Sequence, residues 1–268
     1  MAKAAQFRFY EELNDFLPDK RKKTLFSYPF EGNPAIKDTI EAIGVPHTEI
    51  DLILVNGISV SFHYKLKNND HVSVYPVFES FDISEISRLR NEPLRNPKFI
   101  LDVHLGKLAK YLRMAGLDTL YENYYTDSEI VKISKKEKRI ILTRDIGILK
   151  FKDIRYGYWI RSQNPTEQFG EIVRRFDLPT YFKPFYRCIN CNGLIRKTTK
   201  KSVLNILQPK TRKFYHEFYQ CESCNKVYWK GSHFDKMQSF IDNYSSEEKT
   251  KDKPKASTTS LPALSADR

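Results

Sequence analysis

Phe99-Ile100-Leu101-Asp102 and Ile140-Ile141-Leu142-Thr143-Arg144-Asp145 decide how this chain reads. Each is a short apolar run that ends in an aspartate, and helical sequence lies between them. Apolar runs this short, separated by helices, predict buried parallel strands covered on both faces. Residues just past the carboxyl ends of such strands gather in one crevice, where open α/β sheets place their chemistry. Two carboxylates delivered to that crevice form a candidate site for a divalent cation.

Around these runs the pattern alternates. Lys98–Val103, Thr119–Tyr121, Arg139–Thr143 and Tyr156–Ile160 read as strands, and His104–Ala115, Asp127–Lys138 and Pro165–Phe176 as helices. An α/β domain is therefore expected over residues 98–180. Before it, residues 1–80 read as a ββαββ unit. Strands are expected at Phe7–Tyr10, Lys23–Tyr28, Ile50–Val55, Ile58–Phe62 and Asp70–Tyr75, with a helix over Pro34–Ile43 ended by Gly44. Asn56-Gly57 between two apolar runs is a type I′ hairpin signal. This order resembles the β-grasp, ubiquitin-like fold, and within it the sulfur-carrier branch, whose members end in an activated glycine pair. Here the last strand runs into Pro76-Val77-Phe78-Glu79 with no Gly-Gly, so a carrier role is not expected and a recognition or docking role is left. Residues 81–97, with Pro93 and Pro97, read as a linker; 181–240 as a cysteine module; and 241–268 as a disordered tail.

Charge is uneven along the 268 residues, whose net charge is +12. Residues 183–236 hold 12 Lys and Arg against 3 Asp and Glu, and are rich in aromatic rings. Basic charge mixed with rings suits a polyanion with stackable bases, so nucleic acid is the expected partner, with a solvated charged surface as the alternative. No apolar run approaches the ~20 residues of a membrane helix, and the first residues lack a secretory apolar stretch. The chain is expected to be cytoplasmic, with no membrane partner.

All four cysteines fall in two pairs, Cys188-Ile-Asn-Cys191 and Cys221-Glu-Ser-Cys224. Two such knuckles supply four thiolates, which suits structural zinc, with iron or an iron–sulfur cluster as the alternative. Two disulfides fit poorly without a secretory signal.

For the catalytic cation, Mg²⁺ or Mn²⁺, oxygen ligands are required. Asp102 and Asp145 are the first candidates. Asp127, at a helix start, is the third, although taken alone it reads rather as a helix cap or a partner of the helix dipole. Glu129 is its substitute and Asp153 a possible fourth acid. Asp118 precedes its strand and belongs to the opposite edge. His104 reads as solvent-facing or satisfied in the core. Lys107 and Arg113, on helix faces away from the sheet, together with Arg144 and Lys230, are expected to contact substrate phosphates or bases.

Taken together, residues 99–119, Ile141-Leu-Thr-Arg-Asp145, Arg187-Cys-Ile-Asn-Cys-Asn-Gly193 and Cys221-Glu-Ser-Cys-Asn-Lys-Val-Tyr-Trp-Lys-Gly-Ser-His233 resemble the Mut-seven C-terminal RNase domain. That family is a PIN-like nuclease group with an appended zinc ribbon. Val45-Pro-His-Thr-Glu49 and Val74-Tyr-Pro-Val-Phe-Glu79 resemble the ubiquitin-like domain often joined to it. The resemblance implies a PIN-like fold and RNA hydrolysis at an acidic metal site. Asp102 and Asp145 carry over directly, and Asp127 by its place in the helix before the Thr-Arg-Asp strand. The expectation is a metal-dependent ribonuclease preceded by a ubiquitin-like domain, which offers a protein-partner surface. The rival is an inactive RNA-binding adaptor for tRNA or ribosomal RNA; a partner-controlled toxin-type nuclease is a more distant third.

Overall fold

In the computed structural model, residues 3–76, 87–89 and 96–246 are described. Most of the expected linker, and the tail beyond residue 246, lie outside them.

The N-terminal domain contains β1 (Lys3–Phe9), β2 (Phe26–Phe30), α1 (Ile36–Ile43), β3 (Ile50–Val55), β4 (Ile58–Ser59) and β5 (His71–Pro76). Its sheet order is β2-β1-β5-β3-β4, with β1 and β5 parallel and the other pairs antiparallel. This is the β-grasp arrangement read from sequence. Alternation along β1 puts Ala5, Phe7 and Phe9 inside, and Ile36, Ile40 and Ile43 of α1 cover them. Asn56 and Gly57 both take positive φ, as the hairpin signal required.

The central domain contains β6 (Phe99–Leu101), α2 (Gly106–Met114), β7 (Thr119–Leu120), α3 (Asp127–Glu137), β8 (Ile140–Thr143), α4 (Ile146–Leu149), β9 (Gly157–Trp159) and α5 (Pro165–Arg175). All strand pairs are parallel, in the order β7-β6-β8-β9. Side chains alternate between two cores. Phe99, Leu101, Ile140 and Leu142 pack on Leu108, Leu112, Phe169 and Ile172 of α2 and α5. Ile100 and Ile141 pack on Ile130 and Val131 of α3 and on Ile148 and Leu149 of α4. Burial on both faces explains why the strands read as unbroken apolar runs.

The C-terminal part contains β10 (Ile195–Thr198), α6 (Lys200–Val203), α7 (Pro209–Phe214), β11 (Phe218–Cys221), β12 (Val227–Tyr228) and α8 (Ser232–Ser246). The three strands form an antiparallel sheet, β10-β11-β12. The excursion between β10 and β11 folds back so that Val203 and Leu207 bury Phe218. Helix α8 corrects the expected tail boundary, because the chain stays helical through residues 241–246. Ile241 is fully buried, and the rings of Phe240 and Tyr244 lie 5.3 and 4.9 Å from that of Phe169. The helix thus returns to cover the central domain.

Candidate functional site

β6 is followed by β7 on one side and then by β8 on the other, so the chain reverses direction across the sheet between β6 and β8. This is the switch point where connections diverge and leave a crevice at the carboxyl edge. Asp102 follows β6 directly, and Asp145 lies two residues past β8. Both therefore sit on one edge, on neighbouring strands. Thr143 joins them: its hydroxyl donates to Asp102 Oδ2 at 2.9 Å and accepts from the Asp145 backbone N–H at 2.8 Å. The other Asp102 oxygen accepts from the Val103 N–H at 2.6 Å, and Asp145 Oδ1 accepts from the Gly147 N–H at 2.7 Å. Asp102 is 7% exposed, whereas Asp145 is open to solvent. A carboxylate has about four acceptor positions, so both retain capacity for a further ligand.

Asp127 is the first residue of α3, which starts at the same edge, and is exposed. Thr126, not Asp127, caps this helix. Glu129 completes the capping box by accepting from the Thr126 N–H at 2.8 Å, a bond that holds its carboxyl below the usual range. Glu129 is thereby occupied. Among the described residues, Asp102, Asp127 and Asp145 are not drawn together closely enough to form a ready three-ligand set. Asp153 pairs with Lys135 at 3.1 Å, near the far end of α3, and does not join them. Exposed Lys107, His104 and Arg144 flank the acidic edge.

The opposite edge has a different chemistry. Asp118, just before β7, accepts from Arg139 at 2.8 Å, from Asn192 at 2.8 Å and from Arg187 at 3.1 Å. Burial would push its pKa up, but these donors and the two guanidinium charges outweigh it and hold the carboxyl below the usual range. Asn192 also accepts from the Thr119 N–H at 3.0 Å.

Arg113 lies here too, which corrects its expected role at the substrate. It is 3% exposed and donates to the carbonyls of Thr119, Tyr121, Ile189 and Asn190. The reason is length. Arg113 lies six positions after Lys107, a rise of roughly 9 Å along the helix, which carries it from one edge to the other.

Ile189 and Asn190 belong to the first cysteine knuckle, so Arg113 and Asn192 tie that knuckle to the central sheet. Cys188 and Cys224 sulfurs lie 3.6 Å apart, and those of Cys191 and Cys221 3.4 Å apart. All four lie within 4.8 Å of one another. Zn–S bonds of about 2.3 Å in a tetrahedron put sulfurs roughly 3.8 Å apart, so the set fits zinc. Burial and shared protons with the neighbouring cysteines push the Cys191 thiol up to about 12. Cys188 differs. Burial opposes its ionisation, but the Tyr228 hydroxyl at 3.0 Å and the knuckle N–H groups bring it down to about 7. A cation among the four sulfurs would favour the thiolate form of each. Gly193 lets the knuckles meet, since a Cβ there would fall 2.4 Å from Ser223 Oγ and 2.9 Å from Cys221 Sγ.

The Mut7-C RNase domain model matches residues 97–241, and the Mut7-C ubiquitin model matches residues 2–82. This chain belongs to the Mut7-C RNase domain family. Comparison with curated proteins and with solved structures gave no match. No helix among the described residues is long and apolar enough to cross a membrane.

In this Mut7-C protein the ubiquitin-like domain docks on the edge strand β9. Its short turn His47–Glu49 makes the contact: His47 Nε2 lies 2.8 Å from the Ile154 carbonyl, and Glu49 accepts from the Trp159 N–H. Glu49 is fully buried, with Arg161 3.7 Å away. Burial raises its pKa, and the charges of Arg161 and Arg175 with the Trp159 bond offset this only in part. Arg161 also reaches Asp15 at 3.0 Å. Val45-Pro-His-Thr-Glu49 was legible as a family motif, but its docking role needed the partner strand. Thr143 stood inside the quoted Thr-Arg-Asp motif, and a hydroxyl two residues before a strand-end aspartate was the signal for it.

Proposed function

We propose that this protein is a metal-dependent ribonuclease whose reaction centre is the carboxyl edge of the central sheet. The observation that carries this is the Asp102–Thr143–Asp145 constellation at the switch point between β6 and β8. Asp102, fixed by two hydrogen bonds, and solvent-facing Asp145 would hold Mg²⁺ or Mn²⁺, with Asp127 closing on it from the start of α3. Such a cation supplies charge neutralisation at the phosphoryl group and acidifies water. Thr143 holds Asp102 by donating to it, and the carboxylate keeps acceptor positions for a cation. Lys107 and Arg144 flank the site and hold the phosphate backbone; the planar guanidinium of Arg144 suits a bidentate grip. In-line attack of water on phosphorus would leave a 3′-hydroxyl and a 5′-phosphate. The zinc centre is structural, because four protein ligands leave no open position. The family supports RNA as the substrate class, and the ubiquitin-like domain first serves as an intramolecular brace on β9.

Asp102→Asn with Asp145→Asn should abolish cleavage of single-stranded RNA while leaving the fold and RNA affinity intact. Undiminished cleavage by the purified double variant ends the proposal. One observation favours an inactive RNA-binding adaptor instead: the three aspartates are not gathered into a ready set. Mn²⁺ titration of the wild type and Asp145→Asn separates the two readings, since an adaptor shows no carboxylate-dependent binding.

A further inference from the structure

The ribbon sheet has two unlike faces. One is filled by Val203, Leu207 and Phe218. The other borders a cavity of about 290 Å³. Ile195, Tyr219 and Tyr228 form its floor; Tyr219 and Tyr228 face each other across the β11–β12 pairing. The Tyr228 hydroxyl is turned to Cys188 Sγ, so its ring is what the cavity meets. Phe185 and Phe234, with ring centroids 4.5 Å apart, form one wall, and Trp229 forms the rim. Trp229 is 37% exposed, so it is not spent in the ribbon core.

Two further features mark this cavity as built. Phe185 holds a left-handed backbone, φ 60°, a conformation that costs a bulky residue about 1 kcal/mol or more. Its N–H is pinned to the Met114 carbonyl at 3.0 Å, which turns the ring into the cavity wall. The second feature is charge. The cavity opens on the segment with 12 basic and 3 acidic residues, two of whose acids, Glu217 and Glu222, are already paired with Lys197 and Arg196. Lys230 stands at the mouth, its Nζ 5.5 Å from the Phe234 ring centroid.

An apolar, ring-lined cavity inside a strongly cationic surface fits a ligand with a flat aromatic part on an anionic chain. We infer that it takes the base of an unpaired RNA nucleotide, with Lys230 on the adjoining phosphate. This deepens the ribonuclease reading and rests on RNA being the ligand, not on cleavage. The zinc knuckle docks at the amino edge of the sheet, opposite the aspartates. A strand held at both places must run several nucleotides past the central domain, and a duplex cannot present the base. The ribbon therefore selects single-stranded RNA and sets a minimum length for it.

The test uses the full zinc-loaded chain without added Mg²⁺ or Mn²⁺. With Trp159→Phe, Trp229 is the sole indole, since the chain has 2 tryptophans. An oligouridylate of about twelve nucleotides, a length within known single-strand site sizes, should quench Trp229 fluorescence. An abasic ribose-phosphate strand of the same length should not. Trp229→Ala should weaken oligouridylate binding ~tenfold, the scale of one stacking contact, and leave the abasic strand unaffected. Trp229→Phe should restore most of the loss. Phe234→Leu, which keeps apolar volume, should repeat the effect should Trp229→Ala fail to fold. Equal binding of the two strands, or equal weakening of both, overturns the base pocket in favour of a plain cationic face. Quenching by an acidic peptide as strong as that by RNA overturns it in favour of protein docking. Persistent cleavage by Asp102→Asn with Asp145→Asn would remove the ribonuclease reading and leave the quenching result standing.

Discussion

At the amino edge of the central sheet, Asp118 is locked by Arg139, Arg187 and Asn192 beneath the first cysteine knuckle. At the carboxyl edge, exposed Asp145 accepts from one backbone N–H of its own turn, and Asp127 stands exposed at a helix start. The same residue type ends up spent at one edge and available at the other. The difference lies in what the rest of the chain delivers. The amino edge receives two guanidinium groups from distant segments; the carboxyl edge receives a threonine hydroxyl.

Breaking the amino edge should have the largest effect. Removing zinc with a chelator, or replacing Cys188 by Ser, should unfold the ribbon and release the knuckle from Arg113 and Asn192. Structural zinc is worth on the order of 10 kcal/mol to small domains, so the melting temperature of the central domain should fall with that of the ribbon. Calorimetry showing an unchanged central transition would mean that the knuckle is not a brace.

Next, Arg113→Ala should cost about 3 kcal/mol in denaturant unfolding, because it orphans buried carbonyls of two segments. Asp145→Asn should cost under ~1 kcal/mol, as it loses at most one turn hydrogen bond. Similar costs at the two edges would erase the contrast.

Thr143→Val sharpens the carboxyl side. It leaves a buried carboxylate oxygen of Asp102 without its donor, so cleavage should fall ~tenfold or more at a stability cost of about 1–2 kcal/mol. Unchanged cleavage would exclude Thr143 as a positioning residue.

The smallest effects are in pH dependence, where the locked acids differ in sign. Asp118 is held below its usual pKa, so its stabilisation is present above the unfolded value and lost as pH falls through the folded one. Glu49, at the seam with the ubiquitin-like domain, is raised by burial. Its contribution is complete below the unfolded value and lost as pH rises through the folded one. Asp118→Asn should flatten the acid limb of the stability curve, and Glu49→Gln should remove a decline toward neutral pH. A Glu49→Gln curve that parallels the wild type would show that Arg161 and Arg175 fully neutralise this carboxylate.

Much of the fold could be read locally. Period-two alternation, Asn56-Gly57 and the strand-end aspartates are patterns of neighbouring residues, and β3 was delimited to the residue. Helix α8 was missed although Phe234, Met237, Ile241 and Tyr244 recur at helical spacing; the polar residues between them resembled a tail. Arg113 was misread for a different reason. On α2 its spacing is that of a solvated face, but the carbonyls of Thr119 and Tyr121 and the knuckle folded from residues 188–192 together take up its guanidinium.

The sequence by itself determined the strands of the central sheet, the edge on which Asp102, Asp118 and Asp145 fall and the four-sulfur set, because these follow from periodicity, spacing and chain direction. Only the tertiary structure decided which charges are neutralised, which arginine is structural and where a ring-lined cavity opens. Electrostatic fate depends on partners far along the chain, and burial is a property of the assembled layers rather than of any segment.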